Sequence, residues 1–240
     1  MATQFAFGKI VIDGLVLALD AADNNSYPGS GTTWIDLSPS QNNLSWTSPA
    51  ALFTTYNNAP VISTVNTYTS LRAVRSTTYN NMRTLTGSYT ACSFFRPNAT
   101  TPNKIVVSFG PANNNCSGQS IHPIGIGSGG KFVGGACGGL GTWSSTSGVT
   151  PTTNKFYYVC CTYDGSIETI YVDGVFDKSA ALSTSTPITS SNAISLGWIR
   201  DDGANYSMNA SIGNIAIYNR ALSAEEVLQN YNAQKSRFGL

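Results

Sequence analysis

The stretch "KFYYVCCTYDGSIETIYVDG", residues 155–174, decides the fold. It holds two alternating runs rich in β-branched and aromatic residues, "KFYYVCCTY" and "SIETIYV", and each run is followed by an Asp-Gly pair. Alternation puts successive side chains on opposite faces of a strand. Asp-Gly between two such runs is a strong hairpin signal, because both residues tolerate positive φ. The spacing predicts two antiparallel strands joined at Asp164-Gly165, with Asp173-Gly174 turning the chain again in the same way. The two carboxylates then stand at opposite ends of one strand, about 25–30 Å apart at ~3.3 Å per residue. Cooperating carboxylates in glycoside hydrolysis need ~5–10 Å. Asp164 and Asp173 are therefore read as residues that bend the chain. Glu168, just past the first turn, is expected to be solvated, and the adjacent Cys160 and Cys161 to point to opposite faces.

The rest of the chain repeats this pattern. "GLVLALD" places Leu15, Leu17 and Leu19 on one face of a strand, and the turn-rich "AADNNSYPGSGTTWIDLSPSQNN" follows. "ACSFF", "KIVVSF" and "AISLGWI" are further short β-branched or aromatic runs. Many short strands separated by turn residues indicate an all-β sandwich or barrel. The Gly-rich 125–143 lacks the Gly-Lys-Ser/Thr ending of a phosphate loop, and no helical pattern follows it, so it reads as turns and bulges between close strands. One helix is signalled, over 223–236. Ser223 as N-cap and Glu226 three residues on make a capping box, Leu222 and Val227 a hydrophobic staple, and Val227, Leu228 and Tyr231 a shared apolar face. Glu225 and Glu226 then occupy the first turn, where the helix dipole favours negative charge.

Only 10% of the 240 residues are charged, against about 25% in an average soluble domain. The net charge of +1 gives no reason to expect nucleic acid or an anionic membrane as partner. The sequence has no apolar run of the ~18 residues a membrane helix requires. The opening "MATQFAFGKIVIDGLVLALDAAD" reads as a strand and not as a signal peptide, so folding in a cytoplasm is expected. The five cysteines, Cys92, Cys116, Cys137, Cys160 and Cys161, are odd in number, show no C-x-x-C spacing, and are read as buried free thiols. With the single His122, neither a zinc site nor a Ser-His-Asp set can be assembled.

Residues 155–174 resemble the laminin-G-like branch of the concanavalin A-like lectin/glucanase superfamily. Its pattern runs Trp-x-His-Val-Ala-x-Thr-Tyr-Asp-Gly, then Leu-Tyr-Val-Asp-Gly. Phe156 stands for the Trp, Tyr158 for the His and Cys160 for the Ala, while Val159, Thr162, Tyr163, Asp164 and Gly165 match, as do Tyr171, Val172, Asp173 and Gly174. "IGNIAIYNRALSAEEVLQNY" is similar to the closing segment of the same family. The resemblance implies one jelly-roll domain over 1–240: two antiparallel sheets in a sandwich, a short C-terminal helix, and a first strand near 15–20 lying close to a last near 212–218. "GLVLALDAADNNSYPGSGTTWIDLSPSQNNL" and "YNAQKSRFGL" further resemble modules in structural proteins of tailed phages and large viruses.

The family contains glucanases, whose signature alternates Glu and Asp along one strand. No such run exists here, and the only three Glu are Glu168, Glu225 and Glu226. Asp20, at the end of an apolar strand, is either a buried, hydrogen-bonded structural acid or a ligand for an ion. The expectation is a protein that is not an enzyme, with no catalytic residues and no required cofactor. The first reading is a virion structural protein, a lectin-fold module on the capsid or tail surface that assembles with other virion proteins. The alternative is a carbohydrate-binding module recognising host glycans, and a homo-oligomer is compatible with both. In "RDDGANYS", 200–207, Asp201, Asp202 and Asn205 offer oxygen ligands of the kind calcium takes, and a solvated turn is the competing reading. Trp143 with Asp202 and Asn205 would form a sugar site; Trp34, Trp46 and Trp198 could also stack on sugar, against core packing. Residues 1–12 are read as a docking arm bearing Phe5, Phe7 and Ile10, which alternatively cover the sandwich edge.

Overall fold

The computed structural model describes residues 9–45, 53–64, 87–110, 121–135, 145–181, 193–196 and 208–240. The first half contributes β1 (Leu15–Asp20), β2 (Thr33–Trp34), β3 (Leu44–Ser45), β4 (Phe53–Tyr56), β5 (Ala59–Thr64), β6 (Tyr89–Pro97) and β7 (Lys104–Gly110). Then come β8 (Ile121–Ile126), β9 (Phe132–Gly134), β10 (Ser145–Thr146), β11 (Tyr157–Tyr163) and β12 (Ile167–Val172). The chain closes with β13 (Val175–Ala181), β14 (Ala193–Leu196), β15 (Ala210–Tyr218), helix α1 (Ala224–Gln234) and a 3-10 helix, Lys235–Phe238.

Two antiparallel sheets make the sandwich. The larger has eight strands, in the order β13-β12-β11-β6-β15-β5-β4 with β1 also on β15, and the smaller runs β10-β9-β8-β7-β14. Strands β2 and β3 form a separate hairpin. β15 changes partner along its length: Ala210–Ile212 pair with β5 and Asn214–Tyr218 with β1. The proximity of first and last strands implied by the family resemblance is thus realised, with Leu17 opposite Ile217 and Asp20 opposite Asn214. The hairpin of β11 and β12 is also present, Tyr163 pairing with Glu168 and Val159 with Val172. Its two turns differ, however. Asp173 and Gly174 both take positive φ, 52° and 79°, and make a tight two-residue link to β13. At the first turn only Gly165 does, at 106°. That loop is wider, and the Asp164 carboxylate holds it by accepting from the N–H groups of Ser166 and Ile167 at 2.8 and 2.7 Å.

The large sheet is apolar on both sides. Leu17, Leu19, Phe95, Val159, Ile170, Ile212 and Ile215 face the small sheet, where Val107, Ile124 and Phe132 meet them. Leu15, Ala18, Cys92, Phe94, Tyr158, Cys160 and Tyr218 face the other way and form a second core with Val227 of α1 and Phe238. Two sequence expectations change here. Leu15 does not share a face with Leu17 and Leu19, because the pairing with β15 slips between Leu15 and Leu17; Val16 joins the inter-sheet core and Leu15 the helix side. On α1 the buried side is Val227, Asn230 and Gln234, while Leu228 is exposed. The helix lies on a sheet surface carrying Tyr218 and Asn214, and amides there find partners that a leucine would not. The capping box forms as read, and Leu222 and Val227 are both buried.

Polar contacts fix α1 and the 3-10 helix to the sheet. The Arg237 guanidinium grips the Asp20 carboxylate with Nη1 to Oδ2 at 2.6 Å and Nη2 to Oδ1 at 2.5 Å, both side chains being under a tenth exposed. Asp20 is therefore a structural acid with a cationic partner 217 residues away in sequence. The Asn214 amide donates to Gln234, and its oxygen accepts from the Phe94 N–H. Asn230 accepts from the Val11 N–H at 2.8 Å and donates to the Tyr218 hydroxyl, which donates to the Val11 carbonyl. Phe238 stacks on Phe94 with ring centroids 4.6 Å apart, directly over Gly213. A Cβ at Gly213 would lie 2.5 Å from the Phe238 Cζ.

Two outcomes are expected in chemical denaturation. Arg237→Ala leaves a buried carboxylate unpaired and should cost about 3–5 kcal/mol, with Asp20→Asn in the same background restoring part of it. Gly213→Ala should cost about 1–3 kcal/mol by displacing the Phe238 ring, and Phe238→Leu should soften that penalty in a double-mutant cycle.

Candidate functional site

The acids are the first groups to place, since they could catalyse or bind an ion. Every Asp and Glu among the described residues has a partner within the chain. Asp13 and Glu226 pair with Arg220, Asp23 accepts from Asn25, Asp177 accepts from the Gly148 N–H, and Glu225 accepts from Ser223. Asp36 is buried and accepts from the N–H groups of Ala18, Ser38 and Asn42 and from the Ser38 hydroxyl. Asp164 is exposed, and its backbone hydrogen bonds from Ile167 and Ser166 hold its pKa below the ordinary carboxylate value. Asp173 accepts from the Tyr158 N–H at 2.9 Å, and partial burial raises its pKa. Both are turn residues, as their sequence context implies. No group of three or more His, Cys, Asp or Glu among the described residues could hold a metal.

Glu168 departs from expectation. It is not solvated but fully buried between the sheets. Its Oε1 accepts from the Tyr89 hydroxyl at 3.1 Å and the Cys161 thiol at 2.8 Å, and its Oε2 from the Ser145 hydroxyl at 2.8 Å. Gly134 opposite makes the room: a Cβ there would meet Cys161 Sγ at 2.9 Å. The sequence signal was Glu168-x-Ile170-x-Val172, a period of two that shares the core face. Burial pushes the Glu168 pKa up, against the three hydrogen bonds, and also raises those of Tyr89 and Cys161. Fully buried, and with no second acid beside it among the described residues, the group cannot act on a substrate; it is a polar pin through the sandwich.

Neither can the space beneath α1 hold a sugar. The cavity lined by Ile10, Asp20, Tyr158, Asn214, Tyr218 and Asn230 measures about 20 Å³, room for about one water. Of the docking candidates, Ile10 is buried here in the second core, where it covers the sheet. Phe5 and Phe7 lie outside the described residues, as do Trp143, Asp201, Asp202, Asn205, Trp46, Trp198, Cys116 and Cys137. Trp34 is fully buried and packs in the inter-sheet core. Cys92, Cys160 and Cys161 are free and buried. Cys92 and Cys160 stand directly opposite each other on the helix side, and Cys161 faces the small sheet.

An accessible polar surface begins where the cover of the large sheet stops, beyond Phe238. Tyr56 at the end of β4, Ser63 on β5 and Arg96 on β6 are half-buried on the helix-side face there, and the buried Ser211 on β15 lies between them, opposite both Arg96 and Ser63. The Arg96 guanidinium lies over the Tyr56 ring, 3.5 Å from its centroid, and Nη2 donates to the Asn154 side-chain oxygen. Asn154 is exposed, takes φ of 65°, and accepts the Tyr56 hydroxyl on its carbonyl. Alongside run Ser63 to Ser211 at 3.3 Å, Ser211 to the Asn98 side-chain oxygen at 3.3 Å, and the Asn98 amide to Asn209 at 3.0 Å. These residues form a continuous row of neutral donors and acceptors beside an aromatic ring and one cation. Sequence reasoning missed the row because its members come from five separated segments, none carrying a motif.

Residues 66–228, more than half the chain, match the model of a family described as the concanavalin A-like lectin/glucanases superfamily. The chain belongs to that superfamily, as its β11–β12 hairpin and two-sheet sandwich imply. Among solved structures, the sialidase of Trypanosoma rangeli matches with TM-score 0.60 and 16% identity over 93% of this chain and 33% of its own. The binding domain of botulinum neurotoxin DC in complex with rat synaptotagmin II gives 0.53 and 16% over 92% and 52%. A botulinum neurotoxin type C structure gives 0.59 and 17% over 91% and 51%. This chain thus spans about a third of the sialidase and half of the toxin chains. No curated protein sequence matches it.

The buried acid gives a pH expectation. The Glu168 pKa is raised in the folded chain, so the unfolded chain gives up this proton first as pH rises. Its contribution to stability is full below about pH 4.3, the ordinary value, and is lost as pH climbs through the folded pKa. Glu168→Gln carries no such step. Melting temperatures from pH 3.5 to 8 should show the variant gaining on the wild type with rising pH; parallel curves would contradict a buried, proton-linked Glu168.

Proposed function

We propose that the chain is a non-enzymatic carbohydrate-binding module whose ligand contacts the polar row around Tyr56, Asn98, Asn154 and Asn209. The row carries this reading: sugars are recognised by planar amides and hydroxyls placed beside an aromatic ring, and this surface has those groups fixed by one another. The non-enzymatic part of the reading is supported by the acids, each of which, among the described residues, is engaged in a turn, a cap, an ion pair or a buried hydrogen-bond cluster. Of the structurally similar proteins, botulinum neurotoxin type C interacts with two ganglioside molecules, and the binding domain of the DC toxin forms a complex with rat synaptotagmin II. The fold is therefore used elsewhere in proteins that bind surface molecules, which supports recognition without deciding the ligand.

A glycan array probed with labelled protein tests the reading. Binding should be confined to a related set of glycans. Asn98→Ala and Asn209→Ala should each weaken it roughly five- to tenfold, the effect of about 1 kcal/mol from a lost hydrogen bond, with little change in melting temperature. No bound glycan, or binding untouched by both variants, would overturn it.

A second reading, attachment to a larger particle such as a virion, draws on a different surface. β13 is the edge strand of the large sheet, and Val175 and Phe176 on it are 65% and 57% exposed, with Leu228 exposed on α1. Interface centres are depleted in charge and rich in such side chains. On this reading Phe176→Ser with Val175→Thr should abolish particle incorporation and leave glycan binding intact.

A further inference from the structure

The described arginines are not used alike. Arg220 is matched by Asp13 and Glu226, and Arg237 by Asp20. Among the described residues Arg96 meets no carboxylate, and the acceptor its side chain reaches there is the neutral Asn154 side chain. Its guanidinium is nevertheless held in place over the Tyr56 ring, 3.5 Å from the centroid, and its Nε is shielded from water with no partner. Tyr56 is itself anchored through its hydroxyl to the Asn154 carbonyl, and the Asn154 N–H donates to the Pro97 carbonyl. The cation is thus preorganised by stacking and a neutral bond, with donors of its fork left over. Such a fork matches a planar carboxylate with two parallel hydrogen bonds. Immediately beside it stand the half-buried Ser63, Asn98 and Asn209, groups suited to sugar hydroxyls and amides, with the buried Ser211 behind them holding Ser63 and Asn98.

Resting on the carbohydrate-binding reading above, we infer that the ligand is an acidic sugar, a sialic or uronic acid, whose carboxylate is received by Arg96. The neighbouring amides and hydroxyls take the ring substituents, and Tyr56 fixes the guanidinium plane. Low net charge elsewhere makes this attraction local, so it selects among glycans without drawing in polyanions at large.

Titration calorimetry with lactose, 3′-sialyllactose, digalacturonate and 3′-sulfolactose tests the inference on the full chain. At least one of the two carboxylated sugars should bind at least tenfold more tightly than lactose, and the difference should shrink at 1 M salt. Arg96→Gln should bring that sugar to the level of lactose, and Arg96→Lys should lose most of the preference, because an ammonium cannot reproduce the planar fork. Near-UV circular dichroism reports whether each variant keeps its fold, and the salt dependence of the wild type needs no variant. Carboxylated sugars that bind no better than lactose, binding unchanged in Arg96→Gln, or 3′-sulfolactose binding tighter than either carboxylate would overturn the assignment. If lactose or other neutral glycans bind without acidic preference, the acidic ligand is wrong and the carbohydrate-binding reading stands. If nothing on the glycan array binds, that reading falls as well.

Discussion

The buried ion pair between Asp20 and Arg237 joins the first long strand to the last turn of helix, and the second core is organised around it. The large sheet cannot leave its helix-side face in water, because Leu15, Phe94, Tyr158, Cys160 and Tyr218 all point there. Covering it takes α1, the 3-10 helix and the segment at Ile10 and Val11 together. A buried charge pair is weak as a source of net stability but strong as a condition, since either partner alone would be stranded in an apolar layer. It therefore fixes where the 3-10 helix sits, hence where Phe238 enters over Gly213, hence where the cover ends. The open polar row starts at that boundary.

The chain has few charges and assigns the described acids to architecture. Asp36 nucleates the turn after Trp34, Asp173 closes the β12–β13 link, and Glu226 caps α1 while pairing with Arg220. Glu168 pins the two sheets through Ser145. What is left for recognition on the open row is neutral, asparagines and serines on strands and strand ends, with Arg96 as the described arginine not paired with a described carboxylate. A surface of this kind discriminates by hydrogen-bond geometry more than by net attraction.

Local sequence carried most of the fold. The Asp-Gly turns, the alternation in β11 and β12 and the Ser223–Glu226 box are each decided within a few residues, and each formed. The failures have a common cause, which is that distant partners decide them. Leu15 changed sides because β1 slips against β15, some 200 residues on. Glu168 was legible as core-facing from Ile170 and Val172, but its burial required Ser145 and the space left by Gly134. Leu228 lost its place because Asn230 and Gln234 had sheet partners in Tyr218 and Asn214. The polar row was invisible for the same reason, and Asp20 resolved into a structural acid only once Arg237 was beside it.

The pairing of β1 with β15 also bears on how fast the molecule can form. Leu17 and Ile217 cannot meet until nearly the whole intervening chain has been brought to order, and β6 must already hold the other side of β15. Domains dominated by such non-local pairing fold in about milliseconds to seconds, where local helical bundles need micro- to milliseconds. Until that closing step, the Leu15–Asp20 segment offers an apolar strand with free edges to any neighbouring chain. The same topology slows escape once complete, because β1 is held both by β15 and by the helix-side cover and cannot peel away alone. Persistence under harsh conditions would then come from a high unfolding barrier more than from a large equilibrium stability.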